Sequence, residues 1–416
     1  MKADFFRNNR EKLLALLDDH SVCVILSGTL LRQSGDQYFP FEVDRNFFYL
    51  TGLNEPNLTL VMVKNGEESE HQLFLPPINE RMERSNGAAL RPERVTEISG
   101  ITQVAYTSAQ LQVSDYVGSA GGRLFTKVYF DYLPYPTWEN PALISFISEL
   151  KTVSPYVSIA SANSLIHGLR FIKQEEEISA IRKAISLTWE GLSNALNHLG
   201  SGREEYLVRL DFEDPIKQKN HRVGFSSIVA AGINITTMHH SPGSAKCLEG
   251  EMLLFDVGAE HNFYSADISR TYPISGKFNE RQRFLYEVVL KMQLECIAMM
   301  KPGALFKEVG DTARSVAIRE LKQAGIITAD DEVDKYYLHG VCHPLGLNVH
   351  DVRPLGEPGL ALQKGVVCTI EPGLYFSEWG FGVRIEDDVL ITEDGNEVLS
   401  TAIPKSVEDI ERFMAR

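Results

Sequence analysis

The pattern of apolar and polar positions changes once along the chain. Up to residue 160, short apolar runs typical of strands alternate with stretches of helical periodicity. The strand-like runs are SVCVILS, NFFYLTG, LTLVMV, HQLFL and KVYFDY, and the helical stretches lie near 4–18 and 141–152. This alternation predicts an α/β domain over residues 1–160.

From Gln174 onward helical periodicity dominates, with apolar residues at positions 178, 181 and 185. Two predicted helices precede strand-like sequence, and two more precede a second strand-rich stretch. The predicted helices are 174–199, 204–220, 280–301 and 305–325. The order helix, helix, hairpin therefore occurs twice. We expect an α+β domain over residues 161–416, built from two pseudo-twofold halves that face each other across a functional site.

Composition limits the classes of partner. The 416 residues carry a formal net charge of −15, which opposes binding to nucleic acid or to an anionic membrane surface. The five cysteines are scattered and odd in number, so we expect free thiols and a reducing compartment. Residues 1–20 lack the apolar core of a signal peptide, and no apolar run approaches the ~18 residues of a membrane span. The expectation is a cytoplasmic protein.

Four carboxylates occur in two mirrored pairs around predicted turns. Asp256 and Asp267 are equidistant from a turn centred on the dipeptide HN in FDVGAEHNFYSAD. Glu371 and Glu386 are equidistant from a turn within SEWG. A symmetric register would place each pair directly opposite on antiparallel strands, where like charges are destabilising. We therefore expect a compensating cation; the alternative is that the carboxylates face solvent or pair with Lys and Arg.

The segment YLHGVCHPLGLNVHD (337–351) adds His339, His343 and His350. Its Gly and Pro residues interrupt any helix, and no second close pair of Cys or His follows, which disfavours a structural zinc site. Oxygen ligands with one imidazole suit Mn²⁺-type ions, and this many carboxylates could hold two of them. Cys342 is a poor ligand for such ions, and we expect it to pack as a small apolar residue.

The motifs HGVCHPLGLNVHD, TIEPGLY and VRIEDDVLIT, preceded by the two aspartates, resemble those of the pita-bread metallopeptidases. Within that group the chain is similar to aminopeptidase P, the Xaa-Pro aminopeptidases, with prolidase close behind. FEVDRNFFYLTGLNEPN (41–57) resembles the N-terminal domain of aminopeptidase P, a ribonuclease-H-like module of the creatinase type. AGINITTMHH (231–240) resembles the segment that supplies an active-site histidine in that family. The resemblance covers nearly the whole chain.

The resemblance implies a role for each matching residue. The implied metal ligands are Asp256, Asp267, His343, Glu371 and Glu386. Of these, Asp256 would hold one ion, and His343 and Glu371 would hold the other. Asp267 and Glu386 would bridge the two ions. The implied catalytic residues are His239, His350 and Glu371, and the implied substrate-binding residues are His339 and Arg384. Each substrate-binding residue has an alternative: His339 could only cap a turn, and Arg384 could only neutralise the acidic cluster.

The implied activity is that of a metal-dependent aminopeptidase, which releases the N-terminal residue from peptides with proline at the second position. Two Mn²⁺ ions, or Co²⁺ or Zn²⁺ in their place, would activate a hydroxide that attacks the peptide carbonyl. Glu371 would shuttle its proton, while His239 and His350 would stabilise the tetrahedral intermediate. The implied partners are peptide substrates and further copies of the chain, as a homodimer or homotetramer, with no nucleic acid and no membrane.

Three alternatives share parts of this pattern. Prolidase keeps the same ligands but cleaves only dipeptides. Creatinase shares the two-domain fold but works without metal, and non-catalytic pita-bread modules bind other proteins after losing ligands; the intact ligand set argues against both. Two positions depart from the family's usual residues, Pro344 where a large aromatic is common and His240 where Tyr is common. Both departures could alter the substrate pocket.

Overall fold

The structure, a computed structural model, describes residues 1–106, 125–132, 141–354 and 359–415. Their contacts divide the chain into two compact units, Met1–Arg170 and Phe171–Arg416. Among the described residues, no helix combines the length and the apolar character that a membrane span requires.

The first unit has two minor strands and six that form its main sheet. Its strands are β1 (Ser21–Leu26), β2 (Arg32–Ser34), β3 (Gln37–Tyr38), β4 (Thr59–Asn65), β5 (Glu68–Leu75), β6 (Gln103–Tyr106), β7 (Lys127–Phe130) and β8 (Ser158–Ser161). Its helices are α1 (Ala3–Leu16), α2 (Arg45–Thr51), α3 (Glu80–Asn86), α4 (Pro92–Ser99), α5 (Pro141–Val153) and α6 (Asn163–Phe171). The main sheet has the order β6–β5–β4–β1–β7–β8. It is mixed, because β1 runs antiparallel to β4 and parallel to β7.

The core of this unit lies between the central strands and α5. Val24, Val61 and Phe130 alternate with other buried apolar residues along β1, β4 and β7. The Phe130 ring packs edge-on against Phe146 of α5, with 5.4 Å between the ring centroids. Strands buried in this way read as near-continuous apolar runs, which is why the sequence pattern predicts them.

The division between the units falls about ten residues after the expected boundary at 160. The reason is α6, whose polar side chains hydrogen-bond back to the first unit. Asn163 Nδ2 donates to Asp131 (2.8 Å), and Arg170 Nη1 donates to Asn46 (2.6 Å).

The run NFFYLTG, for which the apolar pattern predicts a strand, forms α2, so that prediction is wrong. The Asp44 carboxylate accepts a hydrogen bond from the Phe47 amide (2.8 Å) and caps the start of the helix. Gly52 ends it in the left-handed conformation with φ of 71°. Every residue from Asn46 to Thr51 is buried. A helix covered on all sides lacks the polar positions that reveal helical periodicity in a sequence.

The second unit contains the candidate metal ligands. Its helices are α7 (Glu175–His198), α8 (Glu205–Gln218), α9 (Glu280–Met299), α10 (Phe306–Gln323) and α11 (Val407–Met414). Its strands are β9 (Arg222–Val223), β10 (Ile228–Ala231), β11 (Met252–Val257), β12 (Ala259–His261), β13 (Tyr264–Ser265), β14 (Ile268–Pro273), β15 (Val367–Ile370), β16 (Gly373–Phe376), β17 (Phe381–Arg384), β18 (Asp387–Ile391) and β19 (Asn396–Val398). The order of two helices followed by antiparallel strands occurs twice, as predicted.

The start of each helical pair is fixed by local chemistry. The Glu177 carboxylate accepts a hydrogen bond from the Gln174 amide (2.9 Å) at the start of α7. At the start of α9, the Asn279 side chain accepts from the Gln282 amide (2.9 Å) and the Gln282 side chain accepts from the Asn279 amide (3.0 Å). Such reciprocal caps satisfy amides that have no partner within the helix. The long predicted helices begin and end within about two residues of their expected bounds.

The first hairpin has a different register from the symmetric one expected. β11 pairs with β14 so that Asp256 lies opposite Ser269, and Asp267 lies two positions before that residue. The turn is centred on Asn262 and Phe263, whose φ values are 51° and 66°. Two successive residues with positive φ form a tight turn that matches the twist of a hairpin. The expectation of directly opposed aspartates is therefore wrong, and the two carboxylates are diagonal neighbours.

The second hairpin has the expected register. Gly373 lies opposite Arg384 in one ladder, and Ile370 lies opposite Asp387 in the next. These two ladders share one register, which places Glu371 opposite Glu386 between them. The prediction of an opposed pair of glutamates is confirmed.

Candidate metal centre

The five predicted ligands lie at the ends of strands in the second unit. Asp256 is in β11, Asp267 directly precedes β14, Glu371 directly follows β15, and Glu386 lies between β17 and β18. His343 belongs to the segment 337–351, which runs beside β15 because the Thr369 amide donates to the His343 carbonyl (2.9 Å).

These side chains converge on one volume. Ligand atoms of Asp267, His343 and Glu386 all lie within 4.8 Å of one another. His343 Nε2 lies 3.4 Å from Asp267 Oδ2 and also 3.4 Å from Glu371 Oε1. Asp256 is close enough to raise, after burial, the pKa of each of the three other carboxyls. The structure thus brings all five predicted ligands together.

His343 presents a neutral imidazole to the carboxylates. Its Nδ1 lies 3.0 Å from the Pro344 carbonyl, which can only accept, so Nδ1 carries the hydrogen and Nε2 keeps its lone pair. Burial lowers the pKa of His343 to about 4, with the Pro344 hydrogen bond opposing. A backbone carbonyl that fixes the tautomer in this way is a common feature of metal-binding histidines.

The positive charge near the four carboxylates is too small to compensate their negative charges. Burial raises the pKa of Glu371 to about 8, although Arg384 opposes the shift. Burial, followed by repulsion from neighbouring carboxylates, raises the pKa values of Asp267 and Glu386 well above their ordinary range. Like charges this close are stable together only when protons or cations compensate them.

A divalent cation fits this donor set. The buried Oδ1 atom of Asp267 has no hydrogen-bond partner among the described residues. Buried oxygens without a partner are costly, and the other oxygen of this carboxylate, Oδ2, lies 3.4 Å from His343 Nε2. Carboxylate oxygens with one neutral imidazole are the ligands that Mn²⁺ and related ions accept. The residues therefore suit the metal that their arrangement requires.

Arg384 lies on the edge of the cluster and holds Asp256. Its Nη2 donates to Asp256 Oδ2 (2.6 Å), and its Nε donates to Ser269 Oγ (2.8 Å). Burial opposes the charged form of Arg384, but Tyr375, Asp256 and Glu386 together raise its pKa above the ordinary value. The guanidinium thus neutralises part of the acidic cluster, whatever its further role toward substrate.

Tyr375 joins Arg384 to His339. Its hydroxyl accepts from Arg384 Nη1 (2.8 Å) and lies 2.8 Å from His339 Nε2. His339 Nδ1 lies 2.6 Å from the Gly340 carbonyl, so Nδ1 donates there and Nε2 accepts from the tyrosine. Burial, followed by Arg384, lowers the pKa of His339 to about 4. Both ring nitrogens of His339 are therefore engaged within the protein.

His239 and His350, the two histidines expected at the scissile bond, are exposed at the rim of the cluster. The His350 ring centroid lies 4.2 Å from that of His343, with 57° between the ring planes. His239 lies in a turn closed by the hydrogen bond from the His240 amide to the Thr237 carbonyl (3.2 Å). His239 is also among the neighbours that lower the pKa of His339, after burial and Arg384, so it lies near His339.

Comparison with known proteins agrees with this geometry. The family model described as "Metallopeptidase family M24" matches residues 179–393, and that of "Aminopeptidase P, N-terminal domain" matches residues 6–120. The first match alone covers more than half of the chain. The chain belongs to metallopeptidase family M24. Membership confirms the predicted enzyme class, and the two matches confirm a creatinase-type N-terminal domain followed by a pita-bread catalytic domain.

Similar proteins match over nearly their full length. The Xaa-Pro aminopeptidase of Haemophilus influenzae is 31% identical, over 98% of this chain and 96% of that protein. A structure assigned to aminopeptidase P from Bacillus anthracis is 35% identical, with a TM-score of 0.95 over 100% of this chain and 99% of that chain. The zinc-substituted aminopeptidase P of Escherichia coli in complex with product is 27% identical, with a TM-score of 0.91 over 100% and 98%. The predicted resemblance to aminopeptidase P is therefore confirmed.

Three side chains that support the centre were not predicted. Tyr375 links two predicted residues, Ser269 Oγ donates to Glu386 (2.7 Å), and Thr369 Oγ1 accepts from the His343 amide (3.2 Å). Ser269 and Thr369 each lie two positions from a predicted ligand, and alternation along a strand could have indicated them. Tyr375 ends the motif TIEPGLY, four positions beyond Glu371, but the motif alone does not indicate its hydrogen bonds to Arg384 and His339.

Cys342 and Cys368 lie beside the metal centre. Among the described residues, neither belongs to the compact group of possible ligands formed by Asp267, His343 and Glu386. Cys368 is fully buried in β15. Its contact with Cys342, followed by burial, raises the pKa of the Cys342 thiol well above the usual value. Because the thiolate is the nucleophilic form, this shift disfavours a cysteine nucleophile and supports a packing role.

Proposed function

We propose that this family member is an Xaa-Pro aminopeptidase, which hydrolyses the first peptide bond of peptides with proline at the second position. The observation that carries the proposal is the convergence of four carboxylates and one neutral imidazole beside two exposed histidines. The names of the relatives support it and favour it over a prolidase-type dipeptidase.

We propose two Mn²⁺ ions as the resident metals, with Co²⁺ or Zn²⁺ as alternatives. Asp256 would hold one ion and His343 with Glu371 the other, while Asp267 and Glu386 would bridge. The product complex of a zinc-substituted relative supports divalent metal at such a centre. When bound, the ions supply Lewis acidity that polarises the substrate carbonyl and lowers the pKa of water.

The protein's own residues then manage protons and charge. Glu371 is 18% exposed at its side chain, so it can reach both the ions and the substrate volume. In this proposal its carboxylate takes the proton of the attacking water and delivers it to the departing proline nitrogen. His239 and His350 are exposed at the rim, where they would donate hydrogen bonds to the oxyanion that develops on the carbonyl oxygen.

We propose that His339 and Arg384 contribute to substrate binding as a linked unit. Tyr375 connects them by two hydrogen bonds of 2.8 Å, which restrain both side chains. A rigid rim of this kind would fix the backbone of the bound peptide relative to Glu371. The departures at Pro344 and His240 would change the shape of the pocket rather than the ligand set.

We also propose a cytoplasmic location and a homodimeric or homotetrameric assembly. Five free cysteines support a reducing compartment, because disulfides are rare there. The assembly is supported by the family resemblance, and light scattering on the purified chain would measure it.

A comparison of substrates tests the proposed activity. Metal-stripped protein should be inactive against Xaa-Pro-Xaa tripeptides and should recover on addition of Mn²⁺, because the buried carboxylates need a cation. Tripeptides should be cleaved well, and a Gly-Pro dipeptide poorly. Preference for the dipeptide would favour prolidase-type specificity, and full activity of verified metal-free protein would overturn the proposal.

A further inference from the structure

Glu205, a residue that neither the motifs nor the ligand set includes, lies in contact with the segment that carries His239. It is the first residue of α8, and its relative exposure is 0%. A carboxylate removed from water in this way is stable only when hydrogen-bond donors or cations surround it. Among the described residues, four hydrogen-bond donors to the Glu205 carboxylate belong to residues 231–243, which we call the histidine segment.

One carboxylate holds both ends of the histidine segment. Glu205 Oε1 accepts from the Ala231 amide (2.8 Å) and from Asn234 Nδ2 (2.9 Å) at the start of the segment. Glu205 Oε2 accepts from His240 Nε2 (2.7 Å) and from the Gly243 amide (3.3 Å) at its end. The loop between these two attachments is therefore closed by the side chain of α8.

His239 lies inside this closed loop. The turn from Thr237 to His240 presents it, and its own side chain is exposed. An exposed side chain takes its position from its backbone, and the backbone here is fixed within one residue by the bond from His240 to Glu205. Small displacements of a reacting group can cost large factors in rate.

We propose that Glu205 is a positioning residue, which acts on the peptidase reaction through His239. The proposal rests on the proposed function for the role of His239, but the contact itself does not. His240 is part of the device. Its Nε2 hydrogen points at the carboxylate, so the imidazole that departs from the family's usual tyrosine serves as the latch between the segment and α8.

A double-mutant cycle separates positioning from general stability. In Glu205→Gln, the amide oxygen can still accept at one end of the segment, but its NH₂ group faces donors at the other. We expect kcat for an Xaa-Pro-Xaa tripeptide to fall by about ten- to a hundredfold, with KM and metal content little changed. In a His239→Ala background the same change should have almost no further effect on kcat, because the group it positions is gone.

Glu204→Gln is the matched control. Glu204 is the neighbouring acidic residue, and its carboxylate bonds Tyr206 outside the histidine segment. The Glu204→Gln variant should have the same kcat as the native enzyme. Equal losses of kcat from Glu205→Gln in the native and the His239→Ala backgrounds would overturn the proposal, because the effect would then not pass through His239.

The hydrogen bond from His240 to Glu205 can be tested with a second pair of variants, at His240. The amide nitrogen of a glutamine occupies nearly the position of imidazole Nε2, whereas that of an asparagine corresponds to Nδ1 and points away from Glu205. His240→Gln should therefore lose less kcat than His240→Asn, which should lose it about as Glu205→Gln does. Equal activity of the two variants would contradict the latch.

Hydrogen exchange tests whether Glu205 holds the histidine segment, and it needs no assay of activity. In Glu205→Gln, the amides of Ala231 and Gly243 should exchange faster, while those of α9 should keep their protection. Unchanged exchange in the histidine segment would overturn the positioning role. If the native enzyme failed to cleave Xaa-Pro peptides but the exchange result held, the proposed function would fail and the structural contact would stand.

Discussion

Burial raises the pKa of Glu371 to about 8, so in metal-free protein this carboxyl holds a proton near neutral pH. A divalent cation reverses that preference, because it favours the charged form of each carboxylate around it. At the scale of single residues, the centre is thus built from groups whose protonation and metal binding compete. The side chain of Glu371 has partial access to solvent, as that of Asp256 does, and this access suits Glu371 to moving a proton.

Glu371→Gln should reduce activity far more than it reduces stability. The change keeps the shape of the side chain but removes a ligand oxygen charge and the group that accepts the proton. We expect kcat to fall by at least about a hundredfold, while the thermal midpoint of the metal-free protein stays equal or rises slightly. Steady-state kinetics and thermal unfolding measure the two. A loss of fold in step with the loss of rate would contradict this role.

His350→Ala should separate turnover from metal binding. The His350 ring is exposed and packs beside His343, with 4.2 Å between the ring centroids. Among the described residues, it is not part of the compact group of possible ligands. We expect metal content to stay the same and turnover to fall by roughly a hundredfold or more, if the imidazole stabilises the oxyanion. Elemental analysis alongside kinetics tests this. Metal lost in proportion to rate would reassign His350 as a ligand.

Cys342→Ser and Cys368→Ala should each retain most of the activity and the metal. Both thiols pack beside the centre, and the raised pKa of Cys342 disfavours the reactive thiolate. Thiol-blocking reagents should inhibit slowly, through loss of packing. Rapid stoichiometric inactivation, prevented by substrate and abolished in Cys342→Ser, would restore the alternative of a cysteine nucleophile.

The sequence identifies residues that carry their own signal and misses those defined by a distant contact. The five candidate ligands lie within recognisable motifs, and the structure brings them together. Glu205 lies in no motif, and Tyr375 lies in TIEPGLY without a role assigned to it there. Their importance follows from hydrogen bonds across folded segments, such as the bond that His240 donates to Glu205, 35 positions away. No pattern of local periodicity contains such a contact.

At the scale of elements, periodicity and turn chemistry decide what could be predicted. The long helices α7 and α10 have polar and apolar faces, so their bounds are predictable from the sequence. α2 lacks a polar face and was mistaken for a strand. The first hairpin shifted from its expected register because Asn262 and Phe263 form the turn, and a bulky Phe with positive φ is an arrangement that sequence preference does not favour.

The segment 337–351 depends on one buried ion pair. Lys173 Nζ donates to Asp351 Oδ2 (3.0 Å), and the side chains are 0% and 1% exposed. The Asp351 amide also donates to the Pro344 carbonyl (2.9 Å), which closes the loop that carries His350. The pair therefore joins the residues before α7 to the loop beside the metal ligand.

Lys173→Met should destabilise the protein by about 3–5 kcal/mol, because it takes a buried cation away from the buried carboxylate of Asp351. The double variant Lys173→Met with Asp351→Leu should recover much of this loss, since no unpaired charge remains. Denaturant unfolding of the single and double variants measures both. Lys364→Met, which breaks an exposed pair with Glu393, is the control and should cost little. A double variant no more stable than the single one would refute the argument.

At the scale of the whole molecule, the change in sequence texture and the family match agree on two domains, and the second contains every candidate ligand. Its opposed strands bring four carboxylates of like charge to one place, which a fold without a cation would not favour. Metal binding and folding are therefore coupled in this unit. The strength of that coupling depends on pH.

The stability of metal-free protein should fall as pH rises, and bound Mn²⁺ should remove that fall. The ordinary pKa of Glu371 is 4.5 and its folded value is about 8, because burial disfavours the charge. Below the lower value both folded and unfolded chains hold the proton. Between the two values only the folded chain holds it, so stability is lost as pH rises through this window. Asp267 and Glu386, with raised pKa values, act in the same direction.

Thermal midpoints of stripped and Mn²⁺-loaded protein, measured from about pH 5 to about pH 8, test this coupling. The difference between the two should widen with pH, since the ions bind the deprotonated carboxylates and protons compete less at higher pH. Glu371→Gln should flatten the decline of the stripped protein, because it removes one of the groups that retain a proton. Glu177, whose pKa burial raises to about 7, is not a predicted ligand, so it should affect both forms alike and cancel in the difference. A difference that stays constant or narrows across this range would show that the carboxylates of the centre are not what couples metal to folding.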